Sequence, residues 1–172
     1  MKKILVILVL VIAVILGYGY MSTKEDKSVK GNEGVKELKI GEKLAPFTLK
    51  DQFDKLHTLS ESTKKIIFVF KKDTGHLVRN YLNQQKDNYL QKRDILFVAD
   101  ISKMPAMIRE YIAMPDLRKR KYPVLIVYNQ ELAAKFKNEK EQNKIMIVEL
   151  DHFIVKNIKF ITTEEELKKE ID

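Results

Sequence analysis

The chain has 172 residues and not one cysteine. That absence excludes disulfide staples, so an exported form must draw its stability from a packed core. It also excludes a lipid-attachment cysteine and any thiol nucleophile. Glycine is scarce, with six residues in all, none after Gly75. No Gly-x-Gly-x-x-Gly follows a strand, so the dinucleotide-binding fingerprint is missing. No Gly-x-Ser-x-Gly elbow is present, which leaves Ser/His/Asp catalysis without a motif. Histidine is limited to His57, His76 and His152. They are far apart and lack ligand spacing, so no metal centre is expected.

One long apolar run is present, at the start. Met1-Lys2-Lys3 precedes Ile4 to Gly17, about 14 residues without a polar side chain, which fits the charged and apolar regions of a secretory signal. Tyr18-Gly19-Tyr20-Met21 prolongs the uncharged stretch to roughly 18 residues, the lower limit for crossing a bilayer. No small-x-small cleavage site follows, which favours an uncleaved anchor. Residues 1–21 are therefore expected to be a signal peptide or N-terminal membrane anchor. Lys2 and Lys3 stay cytoplasmic under the positive-inside rule. The remainder is expected in the periplasm, tethered to the inner membrane through residues 4–21 if uncleaved. Residues 22–38 are polar and charged and read as a flexible linker. Residues 39–172 are long enough for one domain with its own core.

The formal charge is +8. Removing Lys2 and Lys3 leaves 30 basic against 24 acidic residues, spread along the chain. A solvated basic surface with some attraction to anionic polymers follows. Basic residues are not interleaved with exposed aromatics, so no nucleic-acid partner is expected.

Within 39–172 the pattern alternates between strands and helices. Phe47-Thr48-Leu49 and Leu56-His57-Thr58-Leu59 flank a turn-like Asp51 to Lys55, predicting an N-terminal β-hairpin with an edge strand. Ile66 to Phe70, Ile95 to Asp100 and Val124 to Tyr128 are short apolar runs that read as buried strands. Asp73 is a plausible N-cap for a helix carrying Leu77, Val78, Tyr81 and Leu82 on one stripe. Asn83 to Asn88 interrupts that helix. Met104, Met107, Ile108, Tyr111 and Ile112 keep helical spacing after Pro105, and Pro115 is expected to end the helix. Methionines 104, 107 and 114 are expected in the core. Glu131 to Asn143 reads as a short helix or an edge loop. Lys144 to Leu150 and Phe153 to Ile161 form a closing hairpin. Thr163 to Glu166 is a capping box, with Leu167 and Ile171 on the inner face of the last helix. Helical crossovers in the middle and a hairpin at one side predict a three-layer α/β/α domain with a mixed central sheet.

These segments resemble the thioredoxin-like superfamily over roughly Ile40 to Ile171, with the peroxiredoxin/redoxin branch the nearest type. The resemblance rests on Gly41 to Leu49, on Asp51-Gln52-Phe53 and Leu59, and on Ile66–Phe70 followed by Lys71 to His76. It implies that the turn before Leu77 is where the attacking cysteine would stand, here filled by Thr74, Gly75 and His76. It also implies that Tyr122-Pro123 before Val124 is a cis-proline loop lying beside that turn. Neither peroxide reduction nor dithiol exchange carries over to a chain without cysteine. The chain is also similar to cysteine-free exported proteins of proteobacteria, some of which go by the name FAD/FMN-containing dehydrogenase. The residues give that name no support.

The candidate binding residues are Asp73, Thr74, Gly75, His76, Arg79, Tyr122 and Pro123. A helix N-terminus presents free N–H groups and a partial positive charge, fit to hold a carboxylate or phosphate beside Lys71, Lys72 and Arg79. The bland alternative is a capped helix with solvated lysines. A helix N-terminus lowers the pKa of His76, suiting it to hydrogen bonding. The Arg118–Lys121 run reads as a solvated helix end. The functional expectation is a redox-inactive domain for binding or assembly, its partner an unidentified envelope protein or peptide. One alternative is an acid–base or flavin-associated enzyme using Asp73 and His76. Another is a purely structural envelope domain.

Overall fold

A computed structural model describes residues 37–172. The expected signal or anchor and most of the expected linker lie outside the described residues. The seven strands are β1 (Thr48–Asp51), β2 (Leu56–Thr58), β3 (Lys65–Val69), β4 (Ile95–Asp100), β5 (Leu125–Val127), β6 (Ile145–Asp151) and β7 (Ile154–Ile161). They form one sheet in the order β2-β1-β5-β4-β3-β6-β7. β3 runs parallel to β4, and β4 parallel to β5. The other pairings, β1 with β2 and β5 and β6 with β3 and β7, are antiparallel. The mixed sheet and the N-terminal hairpin are both as the sequence predicts.

Strand periodicity sorts the core into two layers. Ile67, Val69, Phe97 and Val124 face one side, where α1 (Lys72–Leu82), α2 (Tyr89–Lys92) and α5 (Glu164–Ile171) pack through Val78, Tyr81, Leu90, Leu167 and Ile171. Ile66, Phe68, Leu125 and Val127 face the other, covered by α4 (Gln130–Phe136) through Ala133 and Phe136. Phe136 stacks on Phe68 at 4.9 Å between ring centres. Leu38, at the end of the expected linker, packs against this second layer. The capping box forms as expected, with Thr163 accepting from the Glu166 N–H and Glu166 reaching back to the Thr163 N–H.

Four local expectations are corrected. Asp73 does not cap α1. Lys71 is the N-cap and supplies no side-chain bond, and Asp73 lies in the exposed first turn. Pro115 does not end its helix. α3 begins at Ala106–Ile108, passes through a π-helical turn at Arg109–Ala113 and continues through Met114–Leu117. Proline has no N–H to give the preceding turn, and a π-bulge just upstream lets the helix run on through it. The apolar stripe of α3 is not core. Met107 is 74% exposed, Tyr111 75% and Ile112 65%, with Ile108 also exposed. Only Met114, Met104 and Leu117 reach the sheet, against Ile101 and Ile126. Finally, the described residues contain no cis peptide bond, so Tyr122–Pro123 is trans.

Candidate functional site: a cationic cleft at the head of α1

The strand ends at Val69, one residue short of the predicted run, and α1 begins at Lys72 and opens without a side-chain cap. Within its first turn the Thr74 hydroxyl donates to the Lys71 carbonyl at 2.9 Å, and the Gly75 N–H donates to the same carbonyl at 3.1 Å. Residues 72, 75, 76 and 79 recur at helical spacing and share one face. That face lines a cleft of about 880 Å³ closed on its other sides by α3 and by the segment before β5.

The structure brings Gly75, His76, Arg79 and Tyr122 to this one cleft. It does not bring the other three candidates there. Asp73 is exposed in the first turn, Thr74 is buried and bonded to the Lys71 carbonyl, and none of Asp73, Thr74 and Pro123 is in the cleft lining. Asp73 makes no hydrogen bond to His76, and its charge acts on the imidazole only at a distance. The pKa of His76 is lowered, first by burial and then by the Arg79 and Lys72 charges.

Sequence reasoning missed the residues that build the rest of the cleft. Gln52, 0% exposed, is the clamp on the Tyr122 segment. Its side-chain amide donates to the Tyr122 carbonyl at 2.8 Å and accepts from the Val124 N–H at 2.8 Å. The Arg118 guanidinium donates to the Gln52 carbonyl at 3.2 Å. A glutamine in a hairpin turn carries no sequence signal for a partner 70 residues away. Asp116 was equally silent. Its carboxylate pairs with Arg120 and lies 4.0 Å from Arg79, so it gathers two guanidinium groups in the cleft wall. The expected solvated run is therefore split. Arg120 is held inside, while Lys121 reaches out toward Asp87 at 4.0 Å with both side chains exposed.

Tyr122 is 6% exposed, and its hydroxyl has no hydrogen-bond partner among the described residues. Burial pushes the phenol up to about 12, with Arg120 and Arg79 opposing the shift. The outer wall is apolar, formed by Met104, Ile108, Tyr111 and Ile112 of α3 and its approach. Seven lysines and arginines line the cleft against two carboxylates, Asp100 and Asp116. Among the described residues no group of three or more His, Cys, Asp or Glu side chains could hold a metal ion. No glycine-rich phosphate loop borders the cleft to hold a flavin.

No family model matches the sequence, and no curated protein matches it. Solved structures do match. The peroxidoxin BcpB of Mycobacterium tuberculosis superposes with a TM-score of 0.52 at 16% identity, over 78% of this chain and 94% of that one. A candidate protein disulfide isomerase from Bacteroides thetaiotaomicron gives 0.52 at 18% identity, over 78% and 86%. A candidate thiol:disulfide interchange protein DsbE from Chlorobium tepidum gives 0.50 at 15% identity, over 78% and 96%. The chain has a thioredoxin-like fold. At these identities the likeness establishes the fold alone. The thioredoxin-like scaffold here carries no cysteine at any position, so its α1 turn has no thiol. No described helix is long and apolar enough to cross a membrane.

Proposed function

We propose that this thioredoxin-like domain acts by binding rather than by redox chemistry, taking a segment of another protein into the cleft between α1 and α3. The observation that carries the reading is the pairing of the two walls. An exposed apolar row, Ile108, Tyr111 and Ile112, faces a cationic stripe on α1 across about 880 Å³. Large exposed apolar side chains rimmed by charge mark interaction sites on soluble domains. A protein segment supplies both apolar side chains and acidic groups, and so complements both walls. The Lys2-Lys3 start and the apolar run that follows support a place at the cell envelope, in the periplasm, with the domain tethered through residues 4–21. An acid–base role for Asp73 and His76 finds no support in their geometry, since the two side chains are not bonded and Asp73 lies outside the cleft.

The test is site-specific photo-crosslinking from the full chain in living cells. A photo-reactive residue at position 111 is expected to trap a discrete protein partner, and the same residue at exposed position 156 on β7 is not. Equal trapping from both positions, or none from position 111, would overturn the reading.

A further inference from the structure

The cleft holds a feature at Tyr122 that segment binding alone does not require. The Tyr122 hydroxyl is a hydrogen-bond donor buried without a partner. Leaving such a group unpaired is destabilising, and a ring of phenylalanine would fill the same space without that cost. Two guanidinium groups, Arg79 and Arg120, line the same cleft as this hydroxyl. Asp116 neutralises part of their charge but leaves an excess, since one carboxylate is shared between two arginines. The uncapped head of α1, an 11-residue helix, adds the positive end of its dipole along the same wall. An unpaired buried donor, two arginines and a helix N-terminus share one need, a negatively charged oxygen.

We propose that the part of the cleft lined by Tyr122, Arg79 and Arg120 is an oxyanion site. It takes a carboxylate joined to an apolar body, with the carboxylate accepting from the Tyr122 hydroxyl and from Arg79 and Arg120. The apolar body lies against Ile108, Tyr111 and Ile112 of α3. This inference rests on the binding function proposed above, and it names the chemistry that the bound segment must present: an acidic side chain flanked by apolar ones. Phosphate alone satisfies the charges but leaves the apolar wall wet, so it binds more weakly than a carboxylate with an apolar neighbour.

Calorimetry on the full chain held in lipid nanodiscs tests the site with four probes. Two are blocked peptides, acetyl-Ala-Leu-Glu-Leu-Ala-amide and its glutamine counterpart. The others are octanoate and octan-1-ol. The glutamate peptide is expected to bind about tenfold more tightly than the glutamine peptide at low salt, as a charge-assisted contact requires. Tyr122→Phe and Arg79→Met are each expected to abolish that preference. Tyr122→Phe removes only an unpaired group, so its thermal midpoint is expected to stay level or rise, which separates lost binding from lost folding. Equal binding of the two peptides overturns the oxyanion site and leaves segment binding standing. Octanoate binding that depends on Tyr122, without peptide binding, supports the oxyanion site and overturns the protein-segment reading. Failure of every probe, or a carboxylate preference that survives Tyr122→Phe, overturns the inference.

Discussion

At the residue scale the cleft depends on Gln52. Its amide satisfies the Tyr122 carbonyl and the Val124 N–H from a fully buried position. These two bonds link the N-terminal hairpin to the segment that presents Tyr122. Gln52→Leu keeps the volume and removes both bonds. It is expected to destabilise the domain by about 2–6 kcal/mol, because each of the two buried backbone groups left unpaired costs roughly 1–3 kcal/mol. Urea unfolding monitored by circular dichroism measures the change, and a shift within 0.5 kcal/mol (about the size of a surface substitution) would show that Gln52 is not the clamp. Of the site residues, Gly75, His76, Arg79 and Tyr122 were legible in the sequence because they sit at a strand-to-helix turn and beside a proline. Gln52 and Asp116 were not, because a single polar residue gives no periodic signal and its partners are distant in the chain. Asp73, Thr74 and Pro123 stand outside the cleft lining for a different reason. A turn sequence names the residues near a helix start but not which of them face the cleft.

At the scale of elements, hydrophobic spacing identified every long strand and helix. It did not reveal which apolar stripes are covered. α3 and α1 show the same kind of spacing, yet Val78, Tyr81 and Leu82 of α1 are buried while Met107, Tyr111 and Ile112 of α3 lie in solvent. Periodicity reports amphipathicity, and burial depends on whether a second element is there to receive the face. α1 itself carries a cost inside it. Gly75 lies within the helix, has no positive φ, and an added Cβ would meet only the Val69 Cγ2 at 3.9 Å. Glycine there is required neither by backbone conformation nor by packing. Gly75→Ala is therefore expected to stabilise the domain by about 0.5–1 kcal/mol, read as a higher urea midpoint. A lower midpoint would mean that the helix start is strained in a way the geometry does not contain.

For the whole molecule, the titrating groups predict a stability plateau with losses on both sides. The His76 pKa lies below 6.5, so the folded state binds its proton less readily than the unfolded chain and stability begins to fall as pH drops through that range. Burial pushes the Asp51 carboxyl up, but bonds from His57 and from the Phe53 and Lys55 N–H groups outweigh it. Asp172 is held low by hydrogen bonds from the Tyr81 and Tyr89 hydroxyls, against burial. Both carboxyls titrate below 3.8 in the folded state, so their contribution is complete above that value and is lost as pH falls through the lowered pKa. Tyr122 works in the opposite direction. Its phenol is raised from 10.0 to about 12, so that contribution is complete below pH 10 and lost on further rise. Urea midpoints between pH 2 and pH 11 are expected to show this plateau, and Tyr122→Phe is expected to remove part of the alkaline decline. A profile whose maximum lies below pH 5 would contradict these directions.

We propose that this thioredoxin-like domain, which has no thiol, holds a partner between the head of α1 and the open face of α3. Hydrogen–deuterium exchange on the full chain, free and bound to the protein trapped from position 111, tests this. Slowed exchange is expected in residues 71–79, 104–113 and 119–124, with the edge strands β2 and β7 unchanged. Protection confined to β2 or β7, with those three segments exchanging as in the free chain, would contradict it.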